Sequence, residues 1–269
     1  MNNNIHKALV AGTRNFVHRN GFHKVVLGLS GGIDSSVTAV IAAEALGKNN
    51  VLAVIMPSPY TQKTSISDAR KLAKNLGIKT LYLPIKSIMV VYTKTLAKTF
   101  SGYPDDMTEE NLQARIRSTL LMALCNKFQM MLLATGNKSE LATGYCTLYG
   151  DLAGGLAPIG DLLKIQVYSL ARLINKKKES IIPISILDKE PSAELKPQQK
   201  DRDTLPPYHI LDQILEKYLK YKQTAEEISR SGFDKITVEK VIMMHKKSEF
   251  KRKQAPPVIK ISDWSHSLR

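Results

Sequence analysis

Glycine, serine and aspartate follow an apolar run early in the chain, in an order suited to binding phosphate. The run Val25-Val26-Leu27 leads into Gly28-Leu29-Ser30-Gly31-Gly32-Ile33-Asp34-Ser35-Ser36, and a helical pattern begins directly afterwards. Gly31 and Gly32 let the backbone turn with positive φ and approach an anion closely, while serine hydroxyls and the first N–H groups of the helix point at the same place. This order predicts a phosphate-binding loop between a strand and a helix, with Asp34 available to bind a divalent cation.

A simpler interpretation of the same residues stays open at this point. The loop lacks the Gly-Lys-Ser/Thr ending of a Walker A motif, so a phosphate would be held by main chain and hydroxyls alone. A tight strand-to-helix turn with serine caps would also explain Ser30-Gly31-Gly32.

A second carboxylate, Glu140, follows another apolar run at 130–135. Asp34 and Glu140 would then lie after two different strands, at the carboxyl edge where parallel sheets bind ligands, and together they could hold Mg²⁺ against phosphates. Either residue alone has a structural alternative, since an acidic residue near a helix start often serves as a cap or a dipole partner.

These side chains need a sheet that brings strand ends together, and the chain repeats a strand-then-helix pattern. We predict strands at 24–28, 51–56, 79–83 and 130–135, and helices at 4–20, 35–46, 65–75, 85–98, 108–128, 165–175, 207–219, 224–230 and 237–245. Strand and helix recurring at roughly 25 to 30 residues indicates parallel βαβ units. The predicted fold class is α/β, with a doubly wound parallel sheet and C-terminal helices.

The long helix at 108–128 is predicted to begin at Thr108 as its N-cap, with Glu109 and Glu110 in the first turn. Its apolar surface is wider than one sheet face needs, which indicates a dimer interface. The positions that form this surface are Leu112, Ile116, Leu120, Leu121, Leu124 and Phe128.

Length, apolar runs, cysteine spacing and net charge narrow the kinds of protein that this sequence could encode. The 269 residues are expected to form a single domain, with a binding loop at 149–160, a mobile lid or linker at 188–207 and a basic tail at 249–269. No apolar run approaches the roughly eighteen residues that span a bilayer, and the N-terminus lacks an apolar leader, so we expect a cytoplasmic protein. Cys125 and Cys146 lack the spacing of a zinc site or a disulfide framework. The net charge of +15 favours binding of polyanions, and charge alone would indicate RNA as the partner.

Several motifs together resemble a known family. The string Ser30-Gly31-Gly32-Ile33-Asp34-Ser35 resembles the signature of the N-type ATP pyrophosphatases, which split ATP into AMP and pyrophosphate. A second set narrows this class, since it resembles NAD synthetases, most closely the synthetase domain of their glutamine-dependent members. The matching segments are Asn111-Leu112-Gln113-Ala114-Arg115-Ile116-Arg117, Thr135-Gly136-Asn137-Lys138-Ser139-Glu140-Leu141, Thr147-Leu148-Tyr149-Gly150-Asp151, Glu194-Leu195-Lys196-Pro197-Gln198-Gln199 and Leu205-Pro206-Pro207-Tyr208.

The resemblance implies a fold, an activity and an assembly. The fold would be adenine-nucleotide α-hydrolase-like, which is Rossmann-like, and the protein a homodimer. The activity would be ATP-dependent amidation of deamido-NAD (nicotinic acid adenine dinucleotide) to NAD through an adenylated carboxylate, with release of AMP and pyrophosphate.

The resemblance also implies roles for individual residues. Asp34, Glu140 and Lys164 would be catalytic, and Asp34 and Glu140 would hold Mg²⁺. ATP would be bound by Gly28, Leu29, Ser30, Gly31, Gly32, Ile33, Asp34, Ser35, Thr135, Lys164 and Ser192. Deamido-NAD would be bound by Asn111, Arg115, Glu140, Gly155 and Lys251.

Two positions depart from the ammonia-using members of the family. Those members carry a His-Lys pair where this chain has Phe250-Lys251, and a lysine where it has Leu148. Arg115 and Arg117 are two residues apart and point about 200° from each other on a helix, so we expect different roles for them.

The nitrogen source has three alternatives, because no segment corresponds to the glutaminase domain of the glutamine-dependent members. Free ammonia could be used, a glutaminase could act in trans, or the sequence could be one domain of a longer chain. We expect ammonia, with ATP and deamido-NAD as substrates and neither a membrane nor a nucleic acid as partner.

Two other functions would fit parts of this sequence. A tRNA-modifying ATP pyrophosphatase would suit the basic charge, but such thiolating enzymes usually need paired catalytic cysteines. A non-catalytic sensor of ATP or NAD would not need both Asp34 and Glu140.

Overall fold

The computed structural model describes residues 3–178 and 180–264. Four parallel strands form one sheet in the order β3-β2-β1-β4. Their bounds are β1 Val25–Gly28, β2 Val51–Ile55, β3 Lys79–Tyr82 and β4 Met131–Leu132. The chain winds outwards from β1 to β3 and then returns to the other side of β1, which opens a crevice at the carboxyl ends of β1 and β4.

Helices cover both faces of this sheet, because β1 and β2 are apolar runs that have to be buried on both sides. The helices are α1 Asn3–Arg19, α2 Ile33–Leu46, α3 Lys63–Leu76, α4 Lys86–Leu96, α5 Met107–Phe128, α6 Lys138–Thr143, α7 Lys164–Lys177, α8 Ile184–Asp188, α9 Tyr208–Leu215, α10 Ala225–Arg230, α11 Lys235–Lys247 and α12 Glu249–Arg252. Short 3-10 helices occupy Lys48–Asn50 and Asp201–Asp203, and a π-helical turn, Glu216–Lys220, extends α9.

Three groups of buried side chains hold these layers together. One lies between the sheet and α1, α2, α3 and α7, and a second lies on the opposite face under α4 and α5. The third is formed by α9, α10 and α11 with Trp264. The predicted α/β class with a doubly wound parallel sheet and C-terminal helices is confirmed.

The predicted N-cap of the long helix is wrong. α5 begins at Met107, and the carboxylate of Asp106 accepts a hydrogen bond from the backbone N–H of Thr108 at 2.7 Å. Glu109 closes a capping box by accepting from the backbone N–H of Asp106 at 2.8 Å. Asp106 is the stronger cap because its carboxylate also suits the positive end of the helix dipole.

The fourth strand is shorter than the predicted 130–135. Beyond Leu132 the chain changes partners, since Leu133 bridges to Leu156 and the backbone N–H of Ala134 donates to the carbonyl of Leu156 at 2.9 Å. The helices α6, α8 and α12 were not predicted, and runs of four to six residues carry only a weak periodic apolar signal.

The segment predicted to be a basic tail packs against the domain over its described part. Val258 bridges to Ala157, and the carboxylate of Asp161 accepts hydrogen bonds from the backbone N–H groups of Ile261 and Ser262 at 2.7 and 2.8 Å. Residues 265–269 of that prediction lie outside the described residues. Within the described residues, no helix is long and apolar enough to cross a bilayer.

Candidate active site

The predicted phosphate loop joins β1 to α2 at the crevice. Gly31 has a φ of 81°, and a Cβ atom there would lie 2.2 Å from the carbonyl oxygen of Ser65, so only glycine fits. The hydroxyls of Ser30 and Ser35 lie 3.0 Å apart, and the N–H of Gly32 donates to Ser30 Oγ at 3.1 Å. The loop is thereby fixed by its own hydroxyls, and the N–H groups of the first turn of α2 are available to an anion.

Two carboxylates and one ammonium group meet above this loop. Lys164 Nζ lies 2.5 Å from Asp34 Oδ2 and 3.3 Å from Glu140 Oε1. The lysine side chain is 4% exposed and each carboxylate is 17% exposed. The predicted catalytic residues, which are 24 to 130 positions apart in sequence, therefore lie together at the crevice.

Burial and neighbouring charges shift the pKa values of Lys164 and Glu140. Burial would lower the pKa of Lys164, but Asp34 and Glu140 raise it above its ordinary value, so the ammonium stays protonated. Burial raises the pKa of Glu140, and the neighbouring charge of Asp34 raises it further. A cation that entered between the two carboxylates would relieve their repulsion.

The carboxylate pair fits a magnesium site that uses the substrate as a ligand. Within the described residues no group of three or more histidine, cysteine, aspartate or glutamate side chains converges as a complete metal cage. Mg²⁺ typically takes one or two protein carboxylates and completes its octahedron with substrate phosphates and water. Asp34 and Glu140, beside a phosphate loop, match that donor set.

The first turn of α6 positions Glu140. Asn137 caps the helix by accepting from the N–H of Glu140 at 3.0 Å, and its side-chain amide donates to Asp34 Oδ1 at 2.9 Å. The same asparagine therefore links the helix that carries one carboxylate to the other carboxylate. The sequence pattern assigned no role to Asn137, although its position three residues before a glutamate is typical of a capping box.

The two residues between Asn137 and Glu140 point into the protein. Ser139 Oγ donates to Asp212 Oδ1 at 2.5 Å and accepts from the N–H of Lys164 at 2.9 Å. Lys138 is fully buried and forms an ion pair with Asp161 at 2.7 Å, and its Nζ lies 3.4 Å from the ring centroid of Trp264. We name Lys138, Asp161, Ser262 and Trp264 the C-terminal anchor.

A third carboxylate near Lys164 has no counterpart among the predicted site residues. Asp201 is buried and accepts hydrogen bonds from Tyr208 at 2.8 Å and Tyr145 at 3.2 Å. Burial raises its pKa, and the positive charge of Lys164 opposes that rise. No signal in the local sequence singles out Asp201, because it lies in a polar segment with several other charges.

A cavity of about 430 Å³ extends from this cluster between the phosphate loop and α5. Most predicted ligands of ATP and deamido-NAD line it. They are Gly28, Leu29, Ser30, Gly32, Ile33, Asp34, Ser35, Asn111, Thr135, Glu140, Lys164, Ser192 and Lys251.

Three predicted ligands are not on the cavity wall. Gly31 packs against Ser65, and Gly155 packs against Met131, whose Cγ would lie 2.9 Å from an added Cβ. Arg115 is exposed, and its Nε donates to the carbonyl of Leu148 at 3.2 Å. Arg117, for which no ligand was predicted, lines the cavity instead.

Two predicted ligands use their polar groups within the protein. Ser192 Oγ donates to the carbonyl of Gln199 at 2.5 Å. Lys251 Nζ donates to the carbonyls of Gly144 and Cys146 at 2.9 and 2.7 Å. In this conformation both groups hold loops that border the cavity.

Comparison with known proteins identifies relatives that match nearly the whole of this chain. The family model described as NAD synthase matches residues 5–255. The glutamine-dependent NAD(+) synthetase of Synechocystis sp. is 54% identical over 257 residues, which are 96% of this chain and 46% of that protein. This chain thus spans about half the length of the curated relatives it matches.

Two solved structures are matched along nearly their full length. NMN synthetase from Francisella tularensis has a TM-score of 0.78 at 29% identity, with 96% of each chain covered. The NH3-dependent NAD synthetase from Campylobacter jejuni, solved with nitrate ion, has a TM-score of 0.76 at 28% identity, with 93% of this chain and 96% of that one covered. These neighbours have the adenine-nucleotide α-hydrolase fold, so the predicted fold type is confirmed.

Proposed function

The chain belongs to the NAD synthase family, and from that premise we propose that it amidates deamido-NAD to NAD at the expense of ATP. The observation that carries the proposal is the meeting of Asp34, Lys164 and Glu140 above the phosphate loop. ATP and Mg²⁺ are the co-substrate and the metal of NAD synthetases. In this chain Asp34 and Glu140 would hold the ion, which would neutralise charge on the triphosphate.

The first step is attack by the carboxylate oxygen of deamido-NAD on the α-phosphorus of ATP, with departure of pyrophosphate. The first turn of α2 and the hydroxyls of Ser30 and Ser35 bind the leaving phosphates, because backbone N–H groups and hydroxyls are fixed there before the nucleotide arrives. Lys164 adds a positive charge that stays protonated, and Asn137 keeps Asp34 in position.

The second step is attack by ammonia on the carbonyl carbon of the adenylated carboxylate. The C–N bond forms as the C–O bond to AMP breaks, and one proton is lost from nitrogen. Thr135, Ser192, Asn111 and Lys251 line the cavity that would enclose both nucleotides. Arg115 and Gly155, which do not line it, would need a rearrangement or a second copy of the chain to bind deamido-NAD.

A product assay tests this proposal. Purified protein with ATP, Mg²⁺, deamido-NAD and ammonium should form NAD, AMP and pyrophosphate in equal amounts, and omission of ammonium should stop NAD formation. Formation of ADP instead of AMP, or no NAD at all, would contradict the proposed reaction.

Ammonia is the proposed nitrogen donor. The chain matches nearly the full length of the NH3-dependent synthetase from Campylobacter jejuni. Burial raises the pKa of the Cys125 thiol to about 11 and also raises that of Cys146, so neither thiol is the activated nucleophile that glutamine hydrolysis by a cysteine requires. The alternatives are a separate glutaminase that supplies ammonia in trans, or a glutaminase domain in a longer chain of which this sequence is one part.

Ammonium and glutamine should therefore be compared with the same preparation. Ammonium should support NAD formation and glutamine alone should not. Since only neutral NH3 has a free lone pair, the rate at fixed total ammonium should rise with pH over roughly pH 7 to 9. Equal rates with glutamine, after contaminating glutaminase has been excluded, would contradict free ammonia as the donor.

One structural neighbour suggests a second candidate substrate. The match to NMN synthetase covers 96% of both chains, so the mononucleotide that lacks the AMP half of deamido-NAD should be tested in parallel. We expect deamido-NAD to have the higher kcat/KM. A higher value for the mononucleotide would favour the second candidate.

We also propose a homodimer. Part of the apolar surface of α5 is buried within the chain, where Ile116 and Leu121 pack under the sheet. Met122 and Phe128 on α5 remain 41% and 50% exposed, and Val90 and Val91 on the adjacent α4 remain 43% and 61% exposed. A second copy that covers this face would bury apolar surface and would lie beside Arg115.

A further inference from the structure

Arg117, which is half-buried, uses fewer of its donors than the buried cations of this chain do. It lies on α5, and its Nε donates to the carbonyl of Met56 at 3.0 Å, directly after β2. Within residues 3–178 and 180–264, no carboxylate oxygen lies within 4.0 Å of its guanidinium, and neither Nη group donates to a protein acceptor.

A structural arginine in the same protein shows the contrast. Arg252 is 7% exposed, and its Nη1 donates to the carbonyl of His245 at 2.7 Å and to Ser248 Oγ at 2.6 Å. Buried Lys138 likewise has Asp161 as its counter-ion. Arg117 has neither kind of partner for its Nη groups, and its side chain lines the cavity.

The surroundings of Arg117 disfavour its positive charge as long as no anion pairs with it. Burial lowers the pKa of Arg117 to about 10, although the carboxylates of Glu194 and Asp151 raise it in part. The guanidinium is still protonated at neutral pH. A charge taken out of water without a counter-ion is unfavourable, and an anion that entered the cavity would supply the missing partner.

The position of Arg117 identifies which anions can reach it. The carbonyl of Met56 accepts the hydrogen bond from Arg117 Nε. The side chain of Met56 packs beside Gly28 at the end of β1, since a Cβ on Gly28 would lie 3.4 Å from Met56 Cε. Leu121, one turn after Arg117 on α5, lies 3.7 Å from the same point. Arg117 thus reaches the cavity where β1 leads into the phosphate loop.

We propose that Arg117 is a substrate-binding residue whose Nη groups bind a nucleotide phosphate in the cavity. The planar guanidinium offers a fork of N–H donors that matches two phosphate oxygens. The identity of the nucleotides rests on the proposed function, under which the phosphate belongs either to ATP or to deamido-NAD. The fixed Nε–Met56 contact orients the fork before the substrate arrives.

The test compares Arg117→Met with Arg117→Lys and with a matched surface control, Arg230→Met on α10. The equilibrium Kd values of ATP with Mg²⁺ and of deamido-NAD are measured separately by calorimetry, without turnover. Arg117→Met should raise one of the two Kd values at least about tenfold, Arg117→Lys should raise it less, and Arg230→Met should leave both unchanged. The nucleotide whose Kd rises is the one whose phosphate Arg117 binds.

The nucleotide-free melting temperature separates a binding role from a structural one. Arg117→Met should melt at the same temperature as the wild type or higher, because it removes a half-buried charge that has no counter-ion. A large fall in melting temperature with unchanged Kd values would overturn the proposal. If Arg117→Met does not fold, unchanged Kd values in Arg117→Lys would overturn it as well, since lysine lacks the fork.

The binding measurements distinguish an error in the role of Arg117 from an error in the proposed reaction. If the wild type binds ATP but forms no NAD, the proposed reaction is wrong and a raised ATP Kd in Arg117→Met still supports the role of Arg117. If the wild type forms NAD and Arg117→Met binds both nucleotides normally, only the role of Arg117 is wrong.

Discussion

At the scale of single residues, Asp34, Lys164 and Glu140 place three ionisable groups together in a largely buried site, where charged groups are less stable than in water. The lysine lies within 3.3 Å of both carboxylates, so the trio carries net negative charge when both acids are ionised. A divalent ion that binds there together with a triphosphate offsets part of the negative charge that the triphosphate would bring alone.

Removal of either carboxylate should affect turnover more than folding. Asp34→Asn and Glu140→Gln should each lower kcat at least about 100-fold, as expected when a group that stabilises transition-state charge is lost. Steady-state NAD formation and circular dichroism measure the two effects. Glu239→Gln, an exposed acid on α11, is the control, and near-normal turnover of either site variant would remove that residue from the proposed metal site.

Asp212 should make stability depend on pH. Burial raises its pKa to about 6, against hydrogen bonds from Ile165 and Ser139 that lower it. Because the folded protein then holds this proton more tightly than the unfolded chain, whose aspartate pKa is about 3.9, the contribution of Asp212 to stability falls as pH rises from about 4 to about 6.

Urea unfolding at several pH values would measure this effect. Over the same pH interval, Asp212→Asn should gain stability relative to the wild type, and Glu239→Gln should not. A difference between wild type and Asp212→Asn that stays constant from pH 4 to pH 7 would contradict the raised pKa.

At the scale of elements, the C-terminal anchor ties residues 258–264 to the first turn of α6. Lys138 Nζ donates to Ser262 Oγ at 2.9 Å and pairs with Asp161, whose other oxygen holds the backbone of Ile261 and Ser262. The neighbouring Asn137 and Glu140 face the proposed metal site. The end of the described chain therefore supports the helix that carries the carboxylate of Glu140.

Loss of one partner of this buried ion pair should be strongly destabilising. Lys138→Met should lower the free energy of unfolding by about 3–5 kcal/mol, because Asp161 would remain buried without its counter-ion. The double variant Lys138→Met with Asp161→Asn should recover part of that loss, because asparagine removes the charge and keeps an oxygen that can accept from the backbone of Ile261 and Ser262. Urea unfolding of both variants tests this, and a double variant less stable than Lys138→Met would contradict a charge-pairing role.

The segment 188–207 has a polar sequence, and a hydrogen bond and an ion pair hold it in place. Glu194 accepts from the N–H of Gln62 at 3.2 Å, at the start of α3, and its other oxygen pairs with Lys189 at 2.5 Å. These contacts fasten the segment over the cavity in this conformation. Its mobility as a lid stays a prediction.

At the scale of the whole molecule, the exposed apolar face of α4 and α5 is the feature that a single copy leaves unexplained. Sedimentation velocity at assay concentration should give a dimer. Phe128→Asp and Val91→Asp should shift the population to monomer and lower NAD formation, since Arg115 lies on the same helix. Tyr221→Asp, at an equally exposed aromatic residue outside this face, is the control, and a fully active wild-type monomer would contradict the proposal.

The sequence by itself determined the fold class, the loop between β1 and α2 that is predicted to bind phosphate, and the two carboxylates that follow β1 and β4. Those features depend on local patterns: apolar runs that must be buried, glycines where the backbone turns tightly, and acids directly after strands. The family motifs identified the same residues, and the comparisons place the chain in that family. The single-domain organisation stays a prediction.

Only the tertiary structure decided which side chains reach the cavity. Helical geometry separates Arg115 from Arg117 by about 200°, but the packing of α5 against β1 and β4 determines that Arg117 faces inwards. Tyr145 donates a hydrogen bond to Asp201, and Lys138 lies over the ring of Trp264, across long stretches of sequence. Such contacts depend on how distant elements pack, and no local pattern records that packing.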